Sequence, residues 1–219
     1  MKSPFKKKNQ TKASLQRNKM LLKSLTIVVN VLYALMIFEL FLILPRPDDP
    51  ELQYISLEQI YSDNLMVLLV ILVGLIMIVI YWIQFHKLVG NLQRSSPVHA
   101  SLSLFQMVFL MIYLYFLRFD MEYDGLTLAL QMESIFLALA GFAGAIAWSY
   151  ARRNNLTSAE IDEKEEVSIL YSILPEPLAA LFSLPFAIYG PDIWTLSFLV
   201  IIPIGMFLNW RKKKLYPET

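Results

Sequence analysis

Cysteine is absent from the 219 residues, which removes disulfides, thiolate nucleophiles, Cys-ligated zinc, iron–sulfur clusters and palmitoylation. Histidine occurs only twice, at His86 and His99. Two are too few for a convincing metal site, and no H-E-x-x-H pair is present. The P-loop, the G-x-S-x-G elbow and the dinucleotide fingerprint are missing as well. These gaps make an enzyme the least supported class, and no metal or cofactor is expected. Charge is scarce too. Only 17% of residues are Asp, Glu, Lys or Arg, and 19 basic side chains nearly cancel 18 acidic ones, so net charge points to no nucleic-acid or acidic partner. Acids are missing altogether from Met1 to Lys23, a stretch with eight Lys and Arg. It has no short apolar core before the first full-length span, which is not how a cleavable signal peptide is built.

What the chain does have is apolar length. It is 57% hydrophobic with a mean hydropathy of +0.52, outside the range of a water-soluble domain of this size. A bilayer core about 30 Å thick needs about 20 apolar residues of helix. Such runs occur at 21–45, 64–86, 99–118, 126–150, 167–189 and 193–210. The expectation is an all-α polytopic membrane protein with six transmembrane helices. Seventeen of the 19 Lys and Arg fall on one side of such a chain, leaving only Arg46 and Arg118 for the other. The positive-inside rule therefore places both termini in the cytoplasm. Trp148 and Trp210 are expected near the inner boundary and Trp194 near the outer, where amphipathic rings collect. Organisation is simple: a basic arm over 1–20, one membrane domain over 21–210 and a basic tail over 211–219. The longest inner loop, Arg152 to Glu166, carries the acidic run EIDEKEE and reads as a solvated surface. Outer loops hold Asp48, Asp49, Glu51, Glu58, Asp63, Asp120, Glu122, Asp124 and Asp192. Such acids either gather cations or simply fill loops that Lys and Arg avoid.

A carboxylate near the middle of a spanning helix costs about 2.5 to 3.5 kcal/mol on insertion scales, so each needs an account. Glu39, near the outer end of the first run, and Glu133, in the outer third of the fourth, are both expected to reach interfacial water. Glu176 sits near the middle of the fifth run inside LPEPLAA. Pro175 and Pro177 weaken the helix there and free carbonyls for a cation or a proton relay. Glu176 is either such a site or a hydrogen-bonded acid that fixes packing. Asn30, the only amide within the first run, either faces a pore or bonds to a neighbouring helix.

The stretch Tyr81 to Val89, YWIQFHKLV, resembles the W-I-N-H-H-R-L-F-like signature that ends the second helix in bacterial members of the transmembrane protein 175 family, potassium-permeable channels. The layout is similar as well: a basic arm, a first helix ending near the pair Phe38 and Glu39, six spans and about 200 residues. Recognisable residues cover the first three spans only. The family's first helix opens with Phe-Ser-Asp, hydrogen-bonded to a His of the second helix and an Asn of the third. In the same register this chain has Ser24, Leu25 and Thr26, then Phe85 and Ser103. All the partners differ together, which is physically coherent, because stranding one buried member costs about 1 to 3 kcal/mol while replacing both is nearly neutral.

The resemblance implies a homotetrameric cation channel, permeable to potassium or other monovalent cations and weakly selective, since no carbonyl filter such as T-V-G-Y-G is present. Val31, Leu35 and Phe38 then occupy the positions at which the first helix narrows the pore. Their spacing of four and three puts them on one helix face. Gln84, His86 and Ser103 fall at the inner boundary, and the basic arm meets anionic lipid. A bacterial inner membrane suits the length and the many lysines. Two alternatives share this layout: a non-conducting subunit that senses the membrane or anchors a cytoplasmic partner, and a proton-linked transporter using Glu176.

Overall fold

The computed structural model describes residues 12–42, 65–123 and 126–215; the outer-loop residues Arg46 to Asp63 and Asp124 lie outside them. Six helical segments long and apolar enough to cross a membrane account for nearly all of this, so the chain is an all-helical integral membrane protein. Six crossings bring Lys12 and Leu215, the first and last described residues, to one face, called the termini face below.

Helix α1 (Lys12–Phe41) begins nine residues before the apolar run at 21, inside the basic arm. Nothing in Lys12 to Met20 opposes this, because the segment holds neither Pro nor Gly, and Lys, Arg, Gln, Leu and Met are good helix formers. It buries Leu25, Val29, Tyr33, Met36 and Leu40, a stripe at spacings of four and three. Helices α2 (Leu65–Gly90) and α3 (Pro97–Glu122) follow. Helix α3 opens on Ser96, whose hydroxyl accepts the His99 N–H at 3.3 Å, with Pro97 in the first helical position.

Helix α4 (Thr127–Arg153) is the centre of the bundle. It has 61% of its most apolar window buried, against 22% for α1 and 11% for the last span. Its composition allows this: Ala129, Ala138, Ala140, Gly141, Ala143, Gly144, Ala145, Ala147 and Ala151 are all buried. Without a hydrophobic force between helices in lipid, small side chains gain stability by letting backbones approach. A Cβ on Gly141 would lie 2.7 Å from Pro177 Cβ, and one on Gly144 would lie 3.0 Å from the Gln106 amide.

The fifth span is broken where Pro-Glu-Pro predicts. Helix α5 (Glu163–Ile173) stops at Leu174, α6 (Pro175–Ser183) resumes, and a 3₁₀ segment (Leu184–Tyr189) completes the crossing. Proline has no N–H, so Tyr171 and Ile173 carbonyls lose their helical donors at residues 175 and 177. The chain turns at Gly190, whose φ of 96° is one that L side chains rarely adopt. It returns as α7 (Pro191–Ser197), a short 3₁₀ turn (Phe198–Val200) and α8 (Ile201–Leu215), with Pro203 in the first turn of α8.

On the termini face the two long loops are knitted together. Leu92 and Thr157 form an antiparallel bridge, with Gln93 N–H to Leu156 O at 3.0 Å and Ser158 N–H to Asn91 O at 2.8 Å. Ser95 N–H reaches Asn18 O on α1 at 3.1 Å. The loop from Arg152 to Glu166 is thus less solvated than its charge suggests. Glu166 takes Arg152 Nε at 3.3 Å and the Thr157 hydroxyl at 2.7 Å, and Leu156 and Thr157 are buried. Glu160, Asp162, Glu163, Lys164 and Glu165 remain exposed, as do Arg153 to Asn155 at the start of the loop. Trp148 likewise departs from expectation. It does not lie at the lipid boundary but is 1% exposed, its indole N–H donating to Glu166 O at 2.9 Å.

Candidate functional site

Three arrangements of residues stand out. The first is the outward face of α1. Opposite its buried stripe, Val31, Leu35 and Phe38 are 54%, 52% and 58% exposed, in line with Ile27 and Val28 below them. Ala34 and Glu39 are exposed too, so a carboxylate stands beside Phe38 at the upper end of this face. Among the described residues, none buries it.

The second arrangement is a polar contact between α1 and α2. Asn30 Oδ1 accepts the Trp82 indole N–H at 3.2 Å and lies 2.9 Å from His86 Nε2. The His86 ring packs edge-on to Trp82 at 4.6 Å. With Asn30 as acceptor, His86 carries its hydrogen on Nε2. Asn30 therefore makes the interhelical bond that was one of its two expectations. The partner residues are both within YWIQFHKLV; Trp82 escaped the sequence reading because an interfacial indole needs no special explanation. The positions that the resemblance sets against Phe-Ser-Asp and its partners behave differently. The Thr26 hydroxyl bonds Leu22 O at 2.9 Å and the Ser103 hydroxyl bonds His99 O at 3.0 Å, each within its own helix. Phe85 is buried with its ring 6.4 Å from that of Tyr33, and Ser24 is exposed. His99, the second histidine, has its Nδ1 2.9 Å from the Ser95 hydroxyl and so serves the start of α3.

The third arrangement runs through the interior between α2, α3, α4 and α6. Gln84 hydrogen-bonds the Glu176 carboxyl, joining two residues 92 positions apart. Tyr81, one turn from Gln84, interacts electrostatically with Glu176 and donates its hydroxyl to Leu137 O at 3.1 Å. Tyr113 of α3 interacts with both Tyr81 and Glu133, and Tyr33 of α1 interacts with Tyr81. Glu133 interacts electrostatically with Asp120 of α3. It does not reach interfacial water as its depth alone suggests. It is 1% exposed, and neither carboxyl oxygen has a hydrogen-bond partner. The depth along a helix was legible but its rotation was not: Glu133 lies on the side of α4 that also carries Leu130, Leu137, Gly141 and Gly144, which spacings of three and four make one buried stripe. Nearby, Ser134 and Ser183 hydroxyls lie 2.8 Å apart and Trp194 Nε1 donates to Ser134 Oγ at 2.8 Å, closing the upper end of the α4–α6–α7 contact.

The sequence-predicted residues thus divide: Val31, Leu35, Phe38 and Glu39 share one open face, Asn30 meets His86, Gln84 meets Glu176, and Ser103 stays with its own helix. Comparison of the chain with family models, with curated proteins and with solved structures finds no match.

Proposed function

We propose that the protein is a homotetrameric, weakly selective, potassium-permeable cation channel of the bacterial inner membrane, of the transmembrane protein 175 type, with its termini in the cytoplasm. The pore is lined by α1 and narrows at rings of Val31, Leu35 and Phe38. One observation carries this: the face of α1 that bears those three side chains is left exposed by the described residues and ends in an exposed glutamate. A face meant only for lipid gains nothing from a carboxylate, which is costly there, whereas at the mouth of a water-filled axis it concentrates cations. Cyclic symmetry then brings one such face from each subunit to a common axis. Below the mouth, the apolar rings exclude water and gate by dewetting, a mechanism that discriminates weakly between K⁺ and Na⁺. The Lys and Arg of the termini face remain for anionic lipid.

The test is purification, reconstitution into K⁺-loaded liposomes and dye-reported flux against protein-free vesicles, with Na⁺ in a parallel series. Flux that modestly favours K⁺ is the expected result. No flux from correctly folded oligomers sinks the channel and leaves a non-conducting subunit.

A further inference from the structure

The interior string of polar groups is not used by a pore on the outside of α1, and it carries orphaned atoms of a kind that native interiors rarely leave. Both Glu133 oxygens, the Tyr33 hydroxyl and Glu176 Oε2 are buried without a hydrogen-bond partner. An unsatisfied buried polar group costs about 1 to 3 kcal/mol, more for a charged one, so four such atoms in one region call for a common explanation. The carboxyls come from different helices, α4 and α6, and the tyrosines that interact with them or with one another from α1, α2 and α3. A string that needs five helices to assemble is not a by-product of one amphipathic stripe.

The chemistry narrows the ligand. A bare metal ion demands about six oxygen ligands, whereas Glu133, Asp120 and Tyr113 together offer fewer, and no group of three or more His, Cys, Asp or Glu that could hold a metal ion occurs among the described residues. A proton needs a single carboxyl oxygen, and the remaining oxygen then takes a hydroxyl or water donor. The groups that interact electrostatically with Glu133 are Asp120 and Tyr113 of α3; those that interact with Glu176 are Tyr81 and Gln84 of α2. Arg118, two residues from Asp120 on α3, is exposed and has an interaction of its own. Access is also built in. Asp120 stands two residues from the outer end of α3. At the other end, Glu176 adjoins the Leu174 break, where the Tyr171 and Ile173 carbonyls have lost their helical donors, and Ser172 beyond them accepts Lys87 Nζ at 3.1 Å.

We infer that each subunit holds a proton-binding site inside the membrane made of two carboxyls at different depths, Glu133 with Tyr113 and Glu176 with Tyr81 and Gln84. Binding makes one O–H bond on a carboxylate oxygen and release returns that proton to water; no other bond changes. The site lies within one subunit and does not rest on conduction along α1.

Infrared difference spectra of the full-length protein in lipid, taken between acidic and alkaline buffer, test this. The expected spectrum contains protonated-carboxyl C=O components that shift in D₂O. One is lost in Glu133→Gln and another in Glu176→Gln, while Tyr113→Phe moves the Glu133 component in frequency. If Glu133→Gln fails to fold, Glu176→Gln and Tyr113→Phe decide the outcome. Spectra that are the same in wild type and in every folded variant overturn the site, as do buried-carboxyl components that stay constant from acid to alkali. K⁺ flux measured in the same vesicles separates the two proposals: an intact infrared signal without flux removes the channel and keeps the proton site.

Discussion

Liposomes carrying the Phe38→Ala protein are expected to pass K⁺ roughly tenfold faster than wild type, which corresponds to lowering the barrier by about 1.4 kcal/mol. Phe38 is the uppermost and largest of the three proposed constriction residues and among the most exposed side chains on α1. In a tetramer, the substitution withdraws four aromatic rings from the axis at once. Wider, less apolar constrictions stay wet, and a wet constriction asks less dehydration of the ion, so the K⁺ over Na⁺ preference should fall as the rate rises. Leu35 lies three residues deeper, about 4.5 Å along the helix, and Val31 about 10.5 Å deeper; they limit the gain and should dominate the barrier once Phe38 is gone. Leu35→Ala added to Phe38→Ala is therefore expected to raise flux further than it does alone. If this face meets lipid instead, trimming Phe38 has no route to the ion. Unchanged flux from well-folded oligomers removes Phe38 from the pore.

Much of the architecture was legible because bilayer thickness converts directly into apolar length, and the six runs correspond one to one with the six crossing helices. The interruption at Leu174 was readable for an equally local reason, the missing N–H groups of Pro175 and Pro177. What hydropathy cannot report is rotation about a helix axis. Val31, Leu35 and Phe38 are as apolar as Val29, Tyr33 and Met36, yet the first set is open and the second buried. Glu133 was misjudged on the same ground: depth placed it near water, while the Gly141 and Gly144 stripe, which turns it inward, carries its signal in side-chain size rather than polarity. Trp148 was assigned to the lipid boundary because an indole suits that boundary; its actual partner, the Glu166 carbonyl, lies 18 residues away across a loop. The pairing of Gln84 with Glu176 spans 92 residues and depends on how α2 and α6 cross, a relation no local pattern contains.

Close approach of α4 to α6 supports that pairing, and it makes Gly141 the position where one methyl group should matter most. A Cβ there would stand 2.7, 2.8 and 2.9 Å from three ring atoms of Pro177. A pyrrolidine ring cannot rotate away, so Gly141→Ala must push α6 bodily, at a cost of about 1 to 3 kcal/mol for overpacking. Gly74 is the internal comparison, because its nearest neighbour at 2.8 Å is Leu117 Cδ2, the free end of a flexible side chain. Gly74→Ala should be tolerated through a rotamer change, which costs less. Thermal denaturation in detergent is expected to show a clearly lower midpoint for Gly141→Ala and a small change for Gly74→Ala. Pro177 directly follows Glu176, so the same displacement should loosen Glu176 from Gln84 and shift its infrared component in Gly141→Ala but not in Gly74→Ala. Equal midpoints and an unmoved component would mean that α6 yields without strain, and that the Gln84–Glu176 contact does not depend on the small-residue surface of α4.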